Sequence, residues 1–283
     1  VPGETMTVEQ LLNCMLIVSA NEACNILGEH IYGSVDAFVA RMNERAAELG
    51  CTNTHFLDPN GLSNDGHYTT AYDMYLITKE AVSHPDFLMI CDADYYKTDP
   101  TNMSEAREFY NSNALICNGG YYASVAQQNL GHDYLYEGAA GVKTGYTRAA
   151  GYCLISTAQR GDVRLLAVVM GCESSQKRTA DCKALLDYGF ANYSVVRPGL
   201  KEGRTVAVHL GKQESVPVEL VERREILVDK AKRTSLSAKV ELAQAVPAPV
   251  EKGQRVGTIS VYSGEKKLIQ LPLVAAEAVE RLS

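Results

Sequence analysis

A chain of 283 residues, 46% hydrophobic and 22% charged, can bury a sizeable core and has the length of one large domain or two. Its formal net charge of −7 supplies no basic field, which makes nucleic acid and anionic membrane surfaces poor candidate partners. No run of about 18 apolar residues is present to span a bilayer, the opening Val1-Pro2-Gly3-Glu4 is no signal peptide, and the six histidines show no ligand spacing that would suggest a metal.

In chain order, Thr7 with Gln10 reads as a capping box ahead of a helix over Val8 to Val18, with Leu11, Leu12, Met15, Leu16 and Val18 as its apolar face. A second apolar set follows in Ala23, Ile26 and Leu27. Ser34 to Leu49 then carries Val35, Phe38, Val39, Met42 and Ala46 on one face, with Gly50 as a stop. Thr70 and Asp73 cap a fourth helix bearing Met74, Ile77 and Ala81. Past residue 150, Tyr152 to Ser156 and Val163 to Met170 read as buried strands joined at Gly161-Asp162, a hairpin inside a mixed α/β domain. Ala180 to Tyr193, with Leu185, Leu186 and Phe190, forms a further helix across it.

Beyond Arg197-Pro198-Gly199 helical period gives way to alternation in Thr205 to Leu210, Val216 to Val221, Glu225 to Val228, Leu236 to Leu242, Gly257 to Tyr262 and Lys267 to Leu273. Short strands of this kind predict a separate all-β sandwich, with a hairpin turn at Ser263-Gly264 and a loop at Pro247 and Pro249. The expected domains are residues 1–196 and 197–283. The eight cysteines are scattered with no C-x-x-C pair, and Cys14, Cys24, Cys153 and Cys172 fall within apolar patterns, where a free thiol behaves as a small core residue.

Two short motifs carry chemistry. Gly141-Val142-Lys143-Thr144-Gly145-Tyr146-Thr147 precedes the strand pair, and a Lys-Thr-Gly triplet on an edge strand offers backbone and hydroxyl to an extended peptide while its ammonium favours nearby anions. Alone it equally suits a surface lysine before a turn. Ser19-Ala20-Asn21 lies between the first two helices, where serine and asparagine are also ordinary capping residues.

Their order and surroundings resemble the serine D-alanyl-D-alanine carboxypeptidases, the low-molecular-mass penicillin-binding proteins. The resemblance runs through Thr7-Val8-Glu9-Gln10-Leu11-Leu12, Ser19-Ala20-Asn21-Glu22-Ala23, Pro59-Asn60-Gly61-Leu62, His67-Tyr68-Thr69-Thr70-Ala71-Tyr72-Asp73-Met74, Asn111-Ser112-Asn113 and Gly141 to Thr147. It covers roughly residues 1–195, and the tail by type. It implies a transpeptidase/β-lactamase-like α/β (α+β) domain, N-terminally incomplete, followed by the β-sandwich. Glu22 stands where an aspartate is usual.

The resemblance implies that Ser19 and Asn21 form one wall of a cleft, with Lys143, Thr144 and Gly145 on the other and the Tyr146 N–H as half of an oxyanion hole. Thr147, on the same strand, is implied to bind substrate with Thr144, Gly145 and Tyr146, and Arg178 reaches toward a substrate carboxylate, although it also suits the exposed start of a helix. The nucleophilic serine of an S-x-x-K element should precede Ser19, and residues 1–18 contain none. Ser174-Ser175-Gln176-Lys177 spells the pattern but follows a strand and is not expected to serve. The implied reaction removes the terminal D-Ala from peptidoglycan pentapeptides outside the cytoplasmic membrane, without cofactor, and β-lactams are the implied inhibitors. Any peripheral membrane attachment would need residues absent here. A class A β-lactamase shares these motifs but needs an E-x-x-L-N type element, and none follows Ser19 at a useful distance. A non-catalytic peptidoglycan-binding scaffold would bind peptide without turnover.

Overall fold

The computed structural model describes residues 1–117, 119, 134–222 and 224–283. They divide into two compact units, Val1–Phe190 and Ala191–Ser283. The division falls a few residues ahead of 196/197 because Tyr193–Val196 is itself a strand, paired with Ile226–Asp229 of the second unit.

In the first unit, α1 (Val8–Val18) has both halves of the capping box: the Thr7 hydroxyl accepts from the Gln10 N–H, and the Gln10 side chain accepts from the Thr7 N–H. Eight of the eleven residues of this helix are apolar, and two of the three polar ones, Gln10 and Asn13, are themselves buried, so polarity does not mark its outer face. Leu11, Cys14 and Ile17 are the buried apolar residues, while Leu12, Met15, Leu16 and Val18, expected inward, are half-buried. In α2 (Asn21–Tyr32) Ala23 and Leu27 are buried but Ile26 is exposed. Ser34 caps α3 (Val35–Glu48) and Thr70 caps α4 (Ala71–Ala81) through the N–H groups three residues on, yet only Ala46 of the expected α3 face is buried. The helix α5 (Pro85–Asp92) has no counterpart among the expected elements. It starts with proline at its first turn, where the missing N–H costs nothing.

Strands β1 (Tyr95–Lys97) and β2 (Glu108–Tyr110) form a short antiparallel ribbon. The principal sheet of the unit runs β3 (Ala139–Thr147), β4 (Gly151–Arg160), β5 (Val163–Cys172), antiparallel throughout. Its core unites Leu154, Ala158, Ala167 and Val169 with Cys182 and Leu186 of α6 (Ser175–Asn192). Tyr136 Oη donates to Asp187 Oδ1 at 2.7 Å. A Cβ on Gly189 would meet Leu165 Cδ1 at 2.4 Å, so a glycine sets how closely α6 approaches the sheet. The helix begins five residues before the expected Ala180 because the Ser174 hydroxyl accepts the Lys177 N–H at 3.1 Å, and Leu185, expected inward, is exposed.

The second unit pairs β6 (Tyr193–Val196) with β9 (Ile226–Asp229). Its sheet follows the order β10 (Leu236–Leu242), β12 (Arg255–Ser263), β13 (Lys266–Ala275), β8 (Ser215–Leu220), β7 (Thr205–His209), β11 (Ala245–Pro247). Burial alternates along β7 and β8, as expected of strands with one face on a sandwich core, whereas Thr258, Ile259, Ser260 and Val261 are buried in succession, so β12 is covered on both faces there. Two details depart from expectation. Ser263 pairs with Lys266, leaving Gly264-Glu265 as the turn with Gly264 at φ 58°, one residue later than predicted. Pro247 closes β11, a short strand parallel to β7 at the sheet margin, a position where its lost donor is tolerated.

Residues 191–283 expressed alone should give a folded, β-rich module, because this unit has its own buried core around Val206, Val216, Ile259 and Leu273. A far-UV circular dichroism spectrum of a disordered chain would refute that independence.

Candidate active site

Ser19 closes α1 at φ 60° and ψ 43°, a left-handed conformation that costs a residue with a Cβ about 1–3 kcal/mol and recurs at functional sites. Its backbone N–H donates to Met15 O at 3.1 Å. Ala20, which offers no side chain for capping, is the N-cap of α2. Neither Ser19 nor Asn21 therefore serves as a helix N-cap, and both are exposed.

Opposite them stands β3, whose inner side pairs Lys143 with Ile155, Thr144 with Leu154, Gly145 with Cys153 and Tyr146 with Tyr152. Its other side has no strand partner among the described residues. The two walls meet where Lys143 Nζ donates to Ser19 Oγ; Nζ also donates to Thr144 O at 3.2 Å. Burial, reinforced by the positive charge of Arg178, pulls the Lys143 amine down to about 8, against an opposing pull from Cys91 and Cys24. Burial also pushes the Cys91 thiol up to about 12, so that neighbour is a neutral thiol at pH 7.

The chain leading into Lys143 is tightly held. Gly141 O accepts from Asn113 Nδ2 at 2.7 Å and from Ser156 Oγ at 2.6 Å, and the Thr157 hydroxyl donates to Ala140 O. Gly141 has φ 59°, and a Cβ there would meet Cys91 Cβ at 2.9 Å, so glycine is required on both counts. Farther along, the Thr147 hydroxyl accepts the Ala150 N–H at 3.0 Å and is thereby engaged in the turn to β4. The Tyr146 ring is exposed and lies 4.3 Å from that of Tyr152.

Arg178, in the first turn of α6, is buried rather than an exposed helix-start arginine. Its Nη1 donates to Gly145 O at 3.1 Å and Cys153 O at 3.3 Å, and its Nε is buried with no hydrogen-bond partner. Burial lowers its pKa. The nearby S-x-x-K spelling is structural: the Ser174 oxygen accepts a helix N–H, and Lys177 Nζ pairs with Asp181 Oδ1 at 2.5 Å.

The structure thus brings Ser19, Lys143 and Thr144 into a chain of contacts that Arg178 supports from the Gly145 carbonyl. It adds residues that motif reading missed. Ser112 Oγ lies 2.5 Å from Thr144 Oγ1, its only sequence signal being the Asn111-Ser112-Asn113 element. All eight cysteines are free thiols. Cys14, Cys91, Cys117 and Cys182 are buried, but Cys24, Cys153 and Cys172, expected in the core, are half-buried. Their apolar neighbours lie on helix and strand faces that are only partly covered.

A family profile described as D-alanyl-D-alanine carboxypeptidase matches residues 1–174, and one described as penicillin-binding protein 5, C-terminal domain, matches 191–281. D-alanyl-D-alanine carboxypeptidase DacF of Bacillus subtilis is 33% identical over 99% of this chain and 68% of its own length. Penicillin binding protein 5 of Haemophilus influenzae superposes with a TM-score of 0.73 at 28% identity, covering 98% of this chain and 75% of that one. Penicillin-Binding Protein D2 of Listeria monocytogenes, in its cefotaxime-bound form, gives a TM-score of 0.53 at 31% identity over 65% of this chain and 67% of that one. The chain spans about two thirds of the length of such curated relatives, 68%, 65% and 64% for three of them.

Proposed function

This chain belongs to the D-alanyl-D-alanine carboxypeptidase family, and from that premise we propose that the cleft between Ser19 and β3 binds the D-Ala-D-Ala end of peptidoglycan stem peptides, and β-lactams in the same place. The observation that carries the reading is the contact of Lys143 Nζ with Ser19 Oγ. It joins the junction of α1 and α2 to β3 and sets a hydroxyl and an amine beside a strand edge that has no strand partner among the described residues. An extended peptide can add to such an edge through its main chain, with Asn21 holding it from the facing wall.

In the proposed reaction a serine oxygen attacks the carbonyl of the penultimate D-alanine and passes its proton to a neutral amine. The C–N bond breaks, the terminal D-alanine leaves with a proton relayed through Ser19, and water hydrolyses the acyl-enzyme. The Tyr146 N–H supplies one donor to the oxyanion. The attacking serine is assigned to an S-x-x-K element of the kind that the resemblance places ahead of Ser19, and the site of action to the outside of the cytoplasmic membrane. The family profile and the relatives do not favour the β-lactamase or scaffold readings.

Two measurements test this. The 283-residue chain should bind a labelled penicillin without a stable mass increase, since no S-x-x-K serine stands beside Ser19 and Lys143 among the described residues; a covalent adduct mapped to Ser174 or Ser19 would refute the assignment. Arg178→Ala should weaken binding of a free-carboxylate D-Ala-D-Ala peptide by about ten- to a hundredfold, the worth of a charged hydrogen bond, and affect the amidated peptide much less. Equal loss on both would confine Arg178 to holding the carbonyls of Gly145 and Cys153.

A further inference from the structure

Ser112 is held from both sides. The buried Asn111 amide donates to Cys91 O at 3.1 Å and Ala93 O at 3.0 Å, and its backbone N–H donates to Asp94 O at 2.8 Å. The buried Asn113 amide donates to Gly141 O at 2.7 Å, its N–H to Asn111 Oδ1 at 2.9 Å, and its own Oδ1 accepts the Leu115 N–H at 3.0 Å. The asparagines thereby anchor the backbone around Ser112 to the end of α5 and to the residue two before Lys143. With both of them turned inward, Ser112 is half-buried and its hydroxyl meets that of Thr144 at 2.5 Å. The link to β3 is already made by Asn113, so the mechanical attachment of the segment does not need the serine hydroxyl.

We infer that Ser112 is a positioning residue of the cleft, holding the Thr144 hydroxyl so that the pair presents one free O–H to the carboxylate end of a bound peptide. The inference rests on the carboxypeptidase reading above and adds to it a determinant of preference for the free acid. Two hydroxyls carry two protons, and one is used in their mutual bond. If Ser112 donates, the Thr144 proton is free; if Thr144 donates, the Ser112 proton is free. Either way one donor remains, at a place fixed by two buried asparagines. A lone threonine hydroxyl would rotate among competing acceptors, and fixing it in advance removes an ordering cost from binding. The nearby guanidinium of Arg178, tied to Gly145 O, makes an anion the suited ligand.

The test measures, by calorimetry on the whole chain, the affinity for a peptide ending in D-Ala-D-Ala and for its C-terminal amide. Ser112→Ala should weaken the free acid about tenfold, the loss of one hydrogen bond to a charged group, and leave the amide nearly unchanged. Ser112→Thr should restore the acid, because the hydroxyl returns. If Ser112→Ala does not fold, Ser112→Cys keeps the shape with a weak donor and should show the same selective loss. Unchanged affinity of Ser112→Ala for the acid, while the parent still prefers acid to amide, would overturn the role of Ser112 and leave the cleft reading standing. Equal losses on acid and amide, or no rescue by threonine, would likewise overturn it. A parent chain that binds neither peptide, or shows no preference, would overturn the carboxylate reading itself and this inference with it.

Discussion

Lys143→Ala should lower the rate of acylation by a β-lactam about 10²- to 10⁴-fold, the usual worth of a positioned proton-transfer group, in a version of the chain extended with a relative's serine-bearing segment. The amine lies at about 8 instead of 10.5, so about a tenth of it is neutral at pH 7, where an ordinary lysine has less than about a thousandth. Removing it also leaves the Ser19 hydroxyl without its donor. Lys143→Arg keeps the charge but cannot accept a proton, and should fail nearly as badly. The chain as it stands permits a direct check: isotope-detected titration of the Lys143 amine should show a midpoint near 8, and a midpoint near 10.5 would remove the argument. The linked stability effect has a definite sign. Between about 8 and 10.5 the unfolded state binds more protons than the folded one, so the penalty for burying this ammonium is full below 8 and is relieved as pH rises toward 10.5. Lys143→Met should accordingly gain most in relative stability below pH 8, with the advantage shrinking above it.

Leu273→Ala should be the most damaging single truncation of the second unit. Leu273 is fully buried, pairs with Gly257 on one side and Leu220 on the other, and shares its core with Val206, Val216 and Ile259. Deleting such a side chain costs about 2–5 kcal/mol, a large part of the roughly 5–15 kcal/mol that holds a domain folded. Hydrogen exchange on the whole chain should show amides of β8, β12 and β13 losing protection about thirtyfold to several thousandfold, with β4 and β5 as internal reference. Unchanged protection in β12 and β13 would show that the core tolerates the cavity and would contradict the packing described.

Features written in a few neighbouring residues are legible in the amino-acid order itself. The caps at Thr7 and Thr70 are local hydrogen bonds to the N–H three residues on. The strands β4 and β5 show as runs of branched residues. The ribbon β1 and β2 escapes because three-residue strands contain too little alternation to register. Which face of α1 turns inward is equally hidden, since two of its three polar residues, Gln10 and Asn13, lie on the buried side.

The amino-acid sequence by itself determined the longer helical and strand segments, the change of character near residue 197, and the residue types of Ser19-Ala20-Asn21 and Lys143-Thr144-Gly145, because propensity, capping and motif chemistry act over a few neighbours. Only the tertiary structure decided what those groups meet. Lys143 reaches Ser19 across 124 residues of sequence, Ser112 reaches Thr144 across 32, and Arg178 is buried against carbonyls 33 and 25 residues away. Such partners are chosen by which faces pack together, and the shift of the Lys143 amine follows from the same packing, because desolvation and the field of a distant guanidinium exist only once the chain has closed around them.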